Sequence, residues 1–350
     1  MSNRRMTLSC PMPKLDFDKI TLAHGGGGTL TNQLLEKGVF KLLENELLDT
    51  HHDGAVFNMN GPMAFSTDSF VISPIFFPGG DIGELAINGT VNDLAMCGAQ
   101  PLYLSLAFIL EEGLLMTEFW EILLSIQKAS EAAGVKIVTG DTKVVEHGKG
   151  DKIYINTTGV GNILPKASIS TSRVESGNAV IVSNNIAAHG ISIMSIREGL
   201  EFESDILSDT RPLYGPVGNI IEKFGSDIHL LKDPTRGGVA SVLNEIARDS
   251  KKGIYLNEKQ IPIDGQVKGA CEILGLDPLY VANEGVFIAI VNHAVADDVV
   301  DTLRADPSCA NAAIIGTVVE EHPTQVVIRS GIGGKRVVNM LVGQQLPRIC

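Results

Sequence analysis

The sequence has no excess of basic residues, no close pair of cysteines and no long apolar run, and each absence removes a class of function. Lys and Arg total 28 against 41 Asp and Glu, a formal charge of -13, whereas a nucleic-acid backbone is gripped by clustered cations. No nucleic-acid partner is expected. The longest apolar stretch, around Leu102 to Leu110, falls far short of the ~20 residues that cross a bilayer, and no charged-then-apolar leader opens the chain. A cytoplasmic protein with no membrane partner is expected. The five cysteines, Cys10, Cys97, Cys271, Cys309 and Cys350, are odd in number and scattered without a CxxC pair, which points to reduced thiols rather than a disulfide framework or zinc. The phosphate loop GxxxxGK[ST] is missing too, as is a GxGxxG after a first strand.

What is present is a globular composition, 44% hydrophobic and 20% charged, over 350 residues, enough for two domains each with its own core. Residues 1–19 read as a polar extension and 20–165 as a first domain. A stretch rich in Ser, Thr and Lys after Pro165 marks the boundary, and 174–330 reads as a second domain of α/β or α+β type. Glycines at Gly331 to Gly334 suit a hinge, which makes 331–350 a mobile tail.

Within the first domain, His24-Gly25-Gly26-Gly27-Gly28 is a loop before a helical pattern. Ala55–Met59 and Met63–Ile72 look like strands joined at Asn60-Gly61, the dipeptide of two-residue hairpins. A helix from Asp81 to Cys97 takes Asp81 as its cap and Gly98 as its stop. Then come a strand at Pro101–Leu110, a helix capped by Thr117 and stopped at Gly134, a short strand Lys136–Thr139, and a strand Ile153–Val160. In the second domain a strand at Ala179–Val182, helices after His189 and across Val217–Phe224, DPTRGG opening a helix to Asp249, and a strand Val286–Val291 alternate.

In the hairpin so drawn, Asp53 faces Asp68, and like charges ~5 Å apart on opposed strands are destabilising unless something neutralises them. A divalent cation would do so. Three further carboxylates sit beside loops or helix ends: Asp93 in TVNDLAMCGA, Asp141 in TGDTK and Asp233 in DPTRGG. Taken singly each serves as well for a cap or turn. Jointly they suit Mg²⁺, which takes hard oxygen ligands from several segments together with water and phosphate. Gly140-Asp141-Thr142-Lys143 adds a hydroxyl and a cation beside such a carboxylate, and the four glycines after His24 leave backbone N–H groups open to phosphate.

These residues, with FSTDSFVISP, FFPGGDIG, FILEEG, IVTGDTKVV, REGLEFE, LGLDPLYVANEG and the terminal LPRIC, resemble the aminoimidazole-ribotide synthetase (PurM)-like ATP-binding superfamily, specifically its hydrogenase-maturation branch. The match runs from Ile20 to Cys350. The resemblance implies a PurM-like two-domain α+β fold, with an N-terminal domain that forms a homodimer and the ATP cleft, a C-terminal α/β domain and a mobile tail. It implies ATP and Mg²⁺, with Asp53, Asp68, Asp93, Asp141 and Asp233 toward the metal. His24, Gly25, Gly26, Gly27, Gly28, Asp68, Asp93, Gly140, Asp141, Thr142 and Lys143 would bind the nucleotide. Relatives usually read ANEGK where this chain has Val286.

The activity implied is dehydration of an S-carbamoyl group on Cys350 to a thiocyanate, source of the cyanide ligand of [NiFe]-hydrogenase iron. Cys350 is the carrier, Glu284 the expected base and Lys143 the expected charge stabiliser. The carbamoyltransferase HypF and the iron-carrying HypC–HypD complex are the implied partners. Two alternatives stand beside this: a sister PurM-like activity, against which LPRIC argues, and a nucleotide-dependent scaffold that only presents a thiol.

Overall fold

A computed structural model describes residues 17–50, 54–199 and 206–341. After the glycine loop come α1 (Thr29–Leu34) and α2 (Phe40–Leu42), joined by a wider turn of helix. Then follow β1 (Met63–Phe70), the short β2 (Phe76–Phe77) and β3 (Gly80–Asp81), α3 (Ile82–Met96), β4 (Ala99–Glu111), α4 (Met116–Ala133), β5 (Lys136–Val145) and β6 (Ile153–Ile163). The sheet order is β1-β6-β4-β5, which leaves β1 and β5 as edges. One face packs on α3 and α4, because alternate residues such as Leu104, Leu106, Phe108 and Leu110 point inward and are buried with Ile87, Val91 and Ile122.

The hairpin at Asn60-Gly61 does not form. Gly61 turns at φ +80, yet residues 55–59 pair with nothing as a strand and Val56 is 88% exposed. The first strand finds its partner a hundred residues away in β6, with Asp68 opposite Thr157. An eight-pair ladder that buries Ala64 and Phe70 against α3 outcompetes a local hairpin of two short strands. Asp53 lies outside the described residues.

Asp81 caps α3 as expected, its carboxylate accepting from Gly83 N at 2.7 Å and Glu84 N at 3.1 Å. Thr117 caps nothing: α4 starts from extended Leu115, and the free Met116 N–H donates to Asp18 O at 2.9 Å. The strand before Gly140 is longer than expected, since β5 runs on through Gly140-Asp141-Thr142-Lys143 in register with Leu106 to Ile109 of β4.

Burial pushes the Asp81 carboxyl up to about 6, opposed by hydrogen bonds from Ser125, Glu84 and Gly83. Burial, then the neighbouring Asp81, pushes Glu84 up to about 7. Unfolded carboxylates ionise near pH ~4, so between there and about 6 the folded protein keeps a proton that the unfolded chain has lost. Stability therefore falls as pH rises through that window. Asp81→Asn keeps a capping oxygen and removes the titration, so the loss between pH 4.5 and pH 7 should shrink by roughly 2 kcal/mol. Chemical denaturation at the two pH values reads this directly, and an unchanged slope would locate the pH dependence elsewhere.

The second half comprises β7 (Ala179–Val182), α5 (Ala188–Arg197), α6 (Tyr214–Phe224), β8 (Ile228–Lys232), α7 (Gly238–Ser250), β9 (Gly253–Asn257), α8 (Gly265–Leu274), β10 (Ile288–Val291), α9 (Ala296–Arg304), β11 (Ala313–Val319), β12 (Val326–Arg329) and β13 (Lys335–Val338). Seven strands in the order β13-β12-β9-β11-β7-β10-β8 pair antiparallel except β12 with β9. The all-buried β7 and β10 send Val180, Val182, Ile288 and Ile290 toward α5, α7 and α8, and Ala179, Ile181, Ala289 and Val291 toward α6 and α9.

The glycines expected as a hinge are instead the turn of a hairpin. Ser330 N donates to Gly334 O at 2.7 Å, Gly333 turns at φ +95, and β13 then pairs with β12 from Lys335 to Val338. Asn244 Nδ2 donates to Val338 O at 2.9 Å and Tyr280 Oη to Asn339 O at 2.9 Å. Residues 335–341 thus belong to the second domain's surface, and the expected tail of 331–350 begins later than its glycines suggested. Residues 342–350, with Cys350, lie outside the described residues, as does Cys10.

Candidate active site

Strand parity builds the first part of the site. Because Ala64 and Phe70 of β1 turn toward α3, Ser66 and Asp68 do so as well. Ser66 Oγ donates to Asp93 Oδ2 at 2.6 Å from α3, and Asp68 Oδ1 accepts from Ser69 N at 2.7 Å. Asp233, directly after β8, and Glu284, before β10, come to the same place from the second domain.

Their electrostatics record the convergence. Burial pushes Asp233 up to about 7, reinforced by Asp93 and Asp68. Burial also raises Asp93, against the Ser66 hydrogen bond, with Asp68 adding to the rise and Arg236 opposing it. Glu284 stands well above the usual carboxylate range through burial first, then Asp209, Asp233, Asp68 and Asp93. Asp141 is not among these neighbours. Oε1 of Glu284 and Oδ2 of Asp209 are buried without a hydrogen-bond partner among the described residues, a costly condition that bound ligand can relieve.

Two asparagines hold these pieces in place. Asn283 Nδ2 donates to Pro234 O at 2.8 Å while its Oδ1 accepts from Ala187 N at 2.7 Å, latching the Glu284 loop to DPTRGG. Asn92 Nδ2 donates to Arg211 O at 3.0 Å and Glu284 O at 3.2 Å, and its Oδ1 accepts from Leu213 N at 2.8 Å, tying α3 to the second domain. Gly285 lets this happen: a β-carbon there would lie 1.7 Å from Asp209 O. Asn92, Asp209, Arg236 and Asn283 were not singled out by sequence reasoning. Asn92 and Asn283 stand next to an acid within a motif and Arg236 within DPTRGG, while Asp209 lies in none of the motifs.

The other expected residues collect elsewhere. Gly25, Gly27 and Gly140 to Lys143 line a cavity of about 510 Å³ that is otherwise walled by Phe40, Leu43, Leu106 and Phe108. Gly27 and Gly28 leave open space, whereas Gly25 packs so closely on β5 that a β-carbon would meet Val144 N at 2.6 Å. His24 is buried, and its Nδ1 accepts from Thr21 N at 3.0 Å, so it braces the loop rather than lining the cavity. Lys143 Nζ pairs with Asp141 Oδ1 at 2.7 Å on exposed β5. The hydrogen bond from Lys143 holds Asp141 below the usual carboxylate range. Since β5 and β1 are opposite edges of the sheet, roughly 14 Å separates them at ~4.8 Å per strand. Within one chain Asp141 and Lys143 therefore do not join Asp68, Asp93, Asp233 and Glu284.

Among the described residues no three His, Cys, Asp or Glu side chains converge tightly enough to hold a metal ion by themselves. Mg²⁺ rarely has an all-protein cage, and the hard oxygens of Asp68, Asp93 and Asp233, near enough that the first two raise the third, fit an ion that arrives with phosphate.

The AIR synthase related protein family matches this chain with its N-terminal domain over residues 51–163 and its C-terminal domain over 175–329. Carbamoyl dehydratase HypE of Azotobacter vinelandii is 48% identical over 342 residues, which is 97% of this chain and 100% of that protein. The chain belongs to the HypE family of carbamoyl dehydratases. A solved structure of the hydrogenase maturation protein HypE in complex with ATP is similar at TM-score 0.91 and 45% identity, covering 94% of this chain and 99% of that one. HypE in a HypE–HypF complex is similar at TM-score 0.78 and 41% identity, covering 88% and 99%. Val286, which follows the Glu284 loop, is buried in the second core as apolar packing.

Proposed function

We propose that this chain uses ATP to dehydrate an S-carbamoyl group on its own Cys350, giving the thiocyanate that supplies cyanide to [NiFe]-hydrogenase iron. One observation carries the assignment of the site. A β-carbon on Gly237, in DPTRGG, would lie 4.0 Å from Leu341, so the segment that ends in Cys350 leaves the described fold beside the loop that begins with Asp233.

In this reading the amide oxygen attacks the γ-phosphate of ATP and ADP leaves. The carbamoyl oxygen, now a phosphate ester, departs as phosphate while nitrogen gives up its protons and C≡N forms. Mg²⁺ held by Asp68, Asp93 and Asp233 would neutralise charge on the phosphates. Glu284, one oxygen of which is buried without a hydrogen-bond partner among the described residues, accepts a nitrogen proton.

The nucleotide's other contacts come from the cavity at Gly25, Gly27 and Gly140 to Lys143, and Lys143 stabilises the charge on the transferred group. Because that cavity stands at the opposite sheet edge, a homodimer brings the two halves together. The outer face of the four-stranded sheet supports this: Met63, Phe65 at 70% exposed, and Ile109 leave it partly apolar and uncovered. Small-angle scattering should give a dimer mass across a dilution series, and a monomer mass at every concentration would contradict it.

HypF is the carbamoyl donor and HypC–HypD the acceptor in this proposal, and the reaction belongs to the cytoplasm. Among the described residues no helix is long and apolar enough to cross a membrane. Incubated with donor, HypF and ATP, the C-terminal peptide should first gain a carbamoyl group and then become lighter by one water in the mass spectrum. A carbamoyl adduct that persists with ATP present would leave the chain a carrier without the dehydratase step.

A further inference from the structure

Asp68, Asp93, Asp209, Asp233 and Glu284 crowd one end of the cleft, and the exposed guanidinium of Arg236 faces Asp68 at its edge. Arg236 Nη2 lies 3.9 Å from Asp68 Oδ1, and its side chain is 76% exposed. This is a loose counter-ion contact, far from the paired short hydrogen bonds that an arginine makes when its site is built for a carboxylate. Its backbone, by contrast, is fixed. Pro234 is latched by Asn283, Gly237 and Gly238 turn at φ +75 and +62, and a β-carbon on Gly238 would meet Leu279 O and Val281 O at 2.6 Å. A rigid stem thus carries a movable cation beside carboxylates and the orphaned Glu284 Oε1.

We infer that Arg236 is a further catalytic residue with two partners: in the empty cleft it neutralises Asp68, and when a divalent cation arrives with ATP it gives up Asp68 and binds the transferring phosphoryl oxygens. This rests on the proposed reading of the cluster as the nucleotide–metal site. A metal ion and a guanidinium compete for the same carboxylate oxygen. The displaced group stays within one side-chain swing of the phosphates, whose oxygens match its planar fork. The carboxylates alone would repel those phosphates, and Arg236 turned toward them adds a compensating charge beside the cation's.

Competition predicts effects of opposite sign, which a merely structural residue would not give. Without nucleotide, where the carboxylates hold Mn²⁺ only weakly with water completing its shell, full-length Arg236→Ala should bind it about two- to fivefold more tightly than the parent, the strength of an exposed ion pair. Its ATP turnover with a carbamoylated arm should fall by on the order of a hundredfold, mostly in kcat. Arg236→Lys should return Mn²⁺ affinity toward the parent and recover only part of the turnover, because a point charge lacks the fork. Asp93→Asn is the control. If it abolishes Mn²⁺ binding while Arg236→Ala leaves affinity unchanged or weaker, or leaves turnover unchanged, the inference alone is overturned. Mn²⁺ binding that Asp93→Asn leaves untouched overturns the site reading and the inference with it.

Discussion

Cys350→Ala is expected to bind ATP like the parent and to form no thiocyanate at all. The sulfur is the atom that carries the carbamoyl group, and alanine offers no nucleophile to load, so the loss should be complete rather than graded. None of the carboxylates or cavity residues is altered. Removing the last three residues should have the same effect. Cys271→Ala is the comparison: that thiol is buried in α8, and burial pushes it up to about 11, so it is held inert as packing. The variant should keep full activity for a modest cost of ~1 kcal/mol in stability. Calorimetry for ATP and mass spectrometry of the terminal peptide read both outcomes. Thiocyanate on any other cysteine of Cys350→Ala would end the carrier assignment.

Glu284→Gln should load a carbamoyl group from HypF normally and then stall, with dehydration slowed by on the order of 10²- to 10⁴-fold. Glutamine preserves shape and keeps the backbone contacts, namely the Glu284 N–H to Asp209 Oδ1 at 3.1 Å and the carbonyl to Asn92. What it removes is the capacity to take a proton. Scattering mass and melting temperature should therefore match the parent. The informative sample is the carbamoylated variant given ATP: loss of water at the parent's rate would release Glu284 from the role of base and leave the part of Cys350 intact.

Local signals carried far. The Asp81 cap, the αL stop at Gly134 and the four residues of β7 follow from short-range chemistry that few alternatives can satisfy. The hairpin failed for the same reason that such signals are limited. Asn60-Gly61 makes its turn, but which strand pairs with Met63–Phe70 depends on where Ala64 and Phe70 are buried, and the partner lies beyond Asp151. The site divides in the same way. Asp68, Asp93, Asp233 and Glu284 were visible as acids in loop-like text, and the fold brings them together. Asn92, Asn283 and Gly285, which align them, act through backbone groups up to 192 residues away, and no periodicity announces such contacts. Asp141 and Lys143 read as part of the same cleft because a sequence does not reveal that β5 and β1 are opposite edges.

The hairpin that replaces the expected hinge sets a radius of action. An arm starting at Gly331 would have had 19 residues' reach, ~65 Å fully extended, enough to deliver its thiol to a distant enzyme. With β13 fastened by Asn244 and Tyr280, the leash runs from Leu341 and counts nine residues, at most ~30 Å however it lies. The DPTRGG loop, which begins with Asp233, is at the root of that leash. In the proposed reading a donor enzyme must therefore bring its pocket to within that reach of Leu341, on the β13 side of this domain. A tether of that length would raise the effective concentration at which Cys350 meets the carboxylates where the proposal has its cargo dehydrated.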